Sequence, residues 1–140
     1  MDFLFVIFVI TTVFFIVQKS IRSFFLSPRH KAKKSRAFIS FDDLIALFVV
    51  YSIIILGFGS IYFSLTITGV PVLMEGGAPI TGTFIQLGEA VSYFSAVTLL
   101  SVGYGDITPV GLGRWISIIE ALVGYLLPAA FVLSTVVDNE

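Results

Sequence analysis

The sequence predicts an all-α membrane protein with three transmembrane helices and a re-entrant helix and loop between the second and third. Three observations lead there. The composition is 57% hydrophobic and only 12% charged, with a mean hydropathy of +1.05, whereas an ordinary soluble domain carries about 25% charged residues. Long apolar runs lie near the start, the middle and the end of the 140 residues. Between the first two runs, one polar stretch gathers seven of the eight basic residues: Lys19, Arg22, Arg29, Lys31, Lys33, Lys34 and Arg36.

The first run, Phe3 to Val17, is relieved only by Thr11 and Thr12. It is slightly short of the roughly 20 residues that cross a bilayer, and flanking Lys19 and Arg22 can snorkel to the interface. A cleaved signal peptide would place positive charge before the run and small residues after it. Here Asp2 precedes and the basic residues follow, so an uncleaved anchor is expected, with an interfacial helix as the alternative. Residues 1–40 then form an N-terminal span and a basic cytoplasmic loop. Ser40 to Asp43 has capping-box-like chemistry, S-x-x-D, which starts a helix near Phe41. Leu44 to Thr68 is long enough for a second span, ended by Gly69 and Pro71, and Met74 to Gly88 reads as an exposed loop.

Glu89 to Leu100 is a shorter helical candidate. At roughly 1.5 Å per residue it covers about 18 Å, enough to reach mid-membrane but not to cross. Leu112 to Val137 forms the last span. Basic loops face the cytoplasm, so the N-terminus lies outside, the C-terminus is cytoplasmic, and the loop before the short helix faces outward. A plasma membrane is the expected location.

Composition also excludes function classes. There is no cysteine, and His30 is the only histidine, so thiolate and histidine metal sites within one chain are not expected. No nucleophile, base and orienting partner form a recognisable set, so neither an enzyme nor a cofactor is expected, and nothing points to nucleic acid. The basic residues lack the regular every-third spacing of a voltage-sensing span. They read as a topology signal, with anionic lipid headgroups near Lys19 to Arg36 as a secondary partner.

The most specific segment is Thr98-Leu99-Leu100-Ser101-Val102-Gly103-Tyr104-Gly105-Asp106. It resembles the signature of the tetrameric potassium-channel family, T-x-x-T-V-G-Y-G-D, with Ser101 in place of the usual threonine. The resemblance extends over about Phe41 to Val137, and residues 41–140 are read as the pore domain: outer helix, pore helix, filter and inner helix. It implies a fourfold homotetramer in which Ser101, Val102, Gly103, Tyr104 and Gly105 line a selectivity filter. Backbone carbonyls of Ser101 to Tyr104 and the Ser101 hydroxyl would replace the water around K+. Gly103 and Gly105 can take backbone angles closed to residues with a Cβ, which turns successive carbonyls to one side.

The same resemblance implies supporting roles. Tyr93 and Phe94 stand where relatives carry an aromatic pair, expected to pack with Tyr104 as a cuff. Thr98 matches the first hydroxyl position. Asp106 matches the aspartate just outside the filter; many relatives partner it with tryptophan, a role that falls here to Tyr93. Val97 stands where some relatives bury a glutamate, so their filter inactivation does not carry over. Gly124 aligns with the inner-helix hinge, and Pro128 follows one turn later. Tyr125, Val132 and Val136 would face the cavity and inner passage. Glu120, one turn before Gly124, is a carboxyl within a span and calls for explanation. It is expected behind the filter, hydrogen-bonded to the pore helix, in a structural or a gating role.

Passive, selective K+ conduction is the expected function. The alternatives are a weakly selective cation channel and a non-conducting regulatory or scaffold subunit that retains the pore fold. The gating stimulus, the conductance and the role of the first span are not legible.

Overall fold

The computed structural model describes Phe8, Thr11, Thr12, Phe15, Lys19 and residues 41–137, with the side chains of 41–43 and 134–137 left out. Those first five are helical; the remainder of the expected first span and basic loop lies outside the described residues.

Helix α1 runs Phe41–Ile67, 27 residues. Within it Leu44–Ile67 is long and apolar enough to cross a membrane, with a hydropathy of 2.6. The chain then enters a small antiparallel sheet. Strand β1 (Leu73–Glu75) pairs with β2 (Ala78–Pro79) and with β3 (Ile107–Pro109), giving the order β2-β1-β3. Glu75 faces both Ala78 and Ile107. The β1–β2 connection is Gly76-Gly77, with φ of 57° and 85°. Positive φ at both central residues of a two-residue hairpin matches the right-handed twist of its strands and favours glycine.

Helix α2 follows at Phe84–Leu99, 16 residues, roughly 24 Å and too short to span. Thr83 caps it: the Thr83 hydroxyl accepts from the Gln86 backbone N–H at 3.4 Å, and Gln86 Oε1 accepts from the Thr83 N–H at 2.9 Å. Helix α3 runs Leu112–Val137, and its Leu112–Leu133 portion is the second helix able to cross a membrane, with a hydropathy of 2.1.

Two expectations are corrected here. The chain is mostly helical, not all-α, because strands of two or three residues carry no readable alternation. Met74 to Gly88 is not a loop throughout: it holds the hairpin, and α2 begins at Phe84 instead of Glu89. The T-x-x-Q capping box was the available signal for that start.

α2 is seated between α1 and α3. A first cluster joins Tyr62 and Leu65 of α1 to Val91 and Phe94 of α2 and to Leu73 and Ile107 of the sheet. A second, deeper along the spans, joins Val50 and Ile54 of α1 to Leu99 of α2 and Leu127 of α3. The buried face of α3 is Gly113, Ser117, Glu120, Gly124, Leu127 and Phe131. That spacing of three and four is one helical stripe, and it leaves Ile118, Ile119, Leu122, Tyr125 and Leu126 exposed.

Candidate pore and its supporting shell

The end of α2 launches the candidate filter. Leu100 N–H donates to Ala96 O at 3.0 Å and Ser101 N–H to Thr98 O at 3.0 Å. Val102 and Gly103 then both donate to the carbonyl of Val97, at 2.8 and 3.2 Å. These bonds consume the orphan carbonyls at the helix end and fix where the extended segment starts.

Beyond that point the backbone alternates. φ is +56° at Ser101, +56° at Gly103 and +80° at Gly105, while Val102 and Tyr104 between them are not positive. Positive φ thus recurs at every second residue, the backbone region that glycine enters without steric cost. Gly103 and Gly105 were legible as such positions. Ser101 was not: it is the one non-glycine residue with positive φ among those described, a conformation that costs about 1–2 kcal/mol for an L-residue. Its placement at the first turn of the segment is a strain that a serine in the sequence does not announce.

Tyr104 and Tyr93 stack with centroids 6.5 Å apart and planes 3° from parallel. Tyr93 O–H donates to Asp106 Oδ2 at 2.7 Å. Phe94 differs from the expected cuff: it turns into the core and meets Tyr62 edge-on at 5.2 Å. One residue is about 100° of helix, so Tyr93 and Phe94 leave α2 in different directions. Thr98 is half-buried on α2, and its carbonyl holds Ser101.

The Tyr93 hydroxyl bond, ahead of weaker backbone contributions, holds the Asp106 carboxyl below its ordinary value of 3.8. The folded value is depressed, so any stability from this bond is fully present above the ordinary value and is lost as pH falls through the lowered one. In an NMR titration, Tyr93→Phe is expected to move the Asp106 midpoint upward. An unmoved midpoint would show the bond to be absent in solution.

Behind the candidate filter, Glu120 is fully buried. Tyr62 O–H from α1 donates to its Oε2 at 2.9 Å, and Ser95 of α2 lies in hydrogen-bonding reach of Oε1. Ser95 Oγ also lies 3.0 Å from the carbonyl oxygen of Ile55. One carboxyl thus joins all three helices. Tyr62 and Ser95 escaped the sequence reading, because a tyrosine and a serine inside apolar runs do not reveal which way they point.

Gly124 packs against the end of α2. A Cβ built there would lie 1.8 Å from the carbonyl oxygen of Leu99, so nothing larger than hydrogen fits. Pro128 lies inside α3 without ending it. Tyr125 and Val132 are exposed on this chain, and the Val136 side chain is outside the described set.

The family model described as Ion channel matches residues 81–138, from just before α2 to the end of α3. Protein LctB of Geobacillus stearothermophilus is 45% identical over 102 residues, covering 73% of this chain and 76% of its own. Protein LctB of Bacillus caldotenax is 46% identical over 100 residues, covering 71% and 75% respectively. No solved structure matches the chain significantly. With the capped short helix, the alternating loop and the second membrane-capable helix on the matched residues, and relatives matched over more than two thirds of the chain, the chain belongs to the ion-channel family built on a two-span pore module.

Proposed function

We propose that this protein is a potassium-selective channel that works as a homotetramer. The observation that carries the reading is the run of positive φ at alternate residues, Ser101, Gly103 and Gly105. Four such segments around an axis offer stacked rings of carbonyl oxygens from Ser101 to Tyr104, closed on the inner side by the Ser101 hydroxyl. Each ring replaces hydration water and so offsets the dehydration of K+, while several adjacent sites keep any one from holding the ion too long. Tyr93, stacked on Tyr104 and bonded to Asp106, resists widening at the outer mouth.

Membrane physics supports the assembly. Val102 is 49% and Tyr104 72% exposed on the isolated chain. Irregular backbone is tolerated at membrane depth only where protein or a water-filled path encloses it, and one chain supplies only one wall. Residues 41–140 form the pore domain in this reading and residues 1–40 a peripheral anchor. The C-terminus is cytoplasmic, the N-terminus lies outside, and the membrane is the plasma membrane. Tyr125, Val132 and Val136 line the cavity, Gly124 and Pro128 form the hinge, and anionic lipids meet the basic residues from Lys19 to Arg36.

The test is flux into liposomes from purified, reconstituted protein. K+ is expected to pass and Na+ to be held back. Equal passage of both would replace this reading with a weakly selective cation channel, which Ser101, lacking the threonine methyl, specifically favours. A purified tetramer that passes neither would point to the regulatory or scaffold alternative.

A further inference from the structure

Helix α3 is continuous through Pro128, yet proline has no N–H and cannot make the bond from residue 128 back to the carbonyl of residue 124. Gly124 O is therefore orphaned in the middle of an apolar helix, where an unpaired carbonyl is costly. Tyr51 O–H, from α1, donates to that carbonyl at 3.2 Å. The two residues are 73 positions apart in the chain, and the donor comes from a different helix.

We infer that Tyr51 is a positioning residue for the inner helix: its hydroxyl is the external replacement for the hydrogen bond that Pro128 removes, and so a latch on α3 at Gly124. Three features make the latch specific. Gly124 is already pressed on Leu99, so its carbonyl cannot shift freely while α3 is docked. Tyr51 is packed at the edge of the Val50, Ile54, Leu99 and Leu127 cluster, which holds its ring on the α2–α3 side of α1. Tyr51 and Tyr62 are about three helical turns apart, so α1 presents two hydroxyls on one face: Tyr62 to Glu120 and Tyr51 to Gly124.

Bending or straightening α3 at this point moves the Gly124 carbonyl relative to α1 and breaks the Tyr51 bond. The bond therefore favours the conformation described here over any other position of the inner helix. The functional meaning rests on the channel reading, but the coupling of Tyr51 to Pro128 does not.

The experiment is a double-mutant cycle of Tyr51→Phe and Pro128→Ala on the reconstituted protein, read as open probability and, separately, as thermal unfolding in detergent. Tyr51→Phe alone is expected to shift the open–closed equilibrium about fivefold per subunit, the equivalent of one ordinary hydrogen bond of about 1 kcal/mol, and to lower the unfolding midpoint. In the Pro128→Ala background the backbone N–H restored at that position takes the Gly124 carbonyl, and both effects of Tyr51→Phe should vanish. Equal effects of Tyr51→Phe in both backgrounds overturn the inference, as does no effect in the native background. The unfolding cycle needs no conduction, so a failed latch and a failed channel reading give different results.

Discussion

Gly124→Ala is expected to separate α3 from the end of α2 and to destabilise the protein. The methyl group would sit 1.8 Å from the Leu99 carbonyl oxygen and 2.7 Å from its carbon. These are backbone atoms of the turn that launches the candidate filter, so no side-chain rotation relieves the contact. Overpacking typically costs about 1–3 kcal/mol, and a clash with backbone puts this substitution at or beyond the upper end. Leu99 is also close in the chain to the bonds that fix Ser101 and Val102, so the filter entrance should shift with it. Thermal unfolding of the purified protein, together with K+ against Na+ flux, checks this. If Gly124 served only as a flexible hinge, alanine would alter opening while stability and selectivity stayed as they were. The close approach leads us to expect that both change.

Glu120→Ala is the second large effect. It leaves the Tyr62 hydroxyl with no acceptor and deprives Ser95 of one of its two partners in a fully buried site. Each buried polar group left unsatisfied costs about 1–3 kcal/mol, and an apolar void is added. Glu120→Gln differs in kind: its amide carbonyl can accept from Tyr62 while its N–H₂ donates to Ser95, whose hydroxyl then donates to Ile55 O. Alanine is therefore expected to lower the unfolding midpoint strongly and glutamine only slightly. A glutamine variant as unstable as the alanine one would mean that the carboxyl's charge, not its bonding, holds the three helices together.

These two sites mark where sequence reasoning stops. The second and third expected spans and the alternating loop were legible because their signals are local: hydropathy sustained over about twenty residues, and glycine recurring at every second position. The inner helix appears over Leu112–Val137, the same bounds the apolar run suggested. The outer helix ends at Ile67, just short of the expected Thr68. Within those spans, however, residues are apolar all round, since lipid and protein core are equally greasy surroundings. Hydrophobic periodicity, which identifies the packed face of a soluble helix, is silent there. Nothing local says that Phe94 turns inward while Tyr93 reaches Asp106, or that Tyr51 and Tyr62 share a face.

From residues alone comes the kind of protein: a membrane chain whose glycine-spaced segment follows a helix too short to cross. Which polar atoms meet depends on how the helices pack. The Tyr62–Glu120–Ser95 junction, the Tyr51 bond to the carbonyl that Pro128 leaves open, and the contact that excludes a Cβ at Gly124 all join residues from different helices. In an apolar medium an unpaired polar group has no water to turn to, so the helices must take the positions that bring these partners together. That is a condition on the whole arrangement, and no single stretch of sequence contains it.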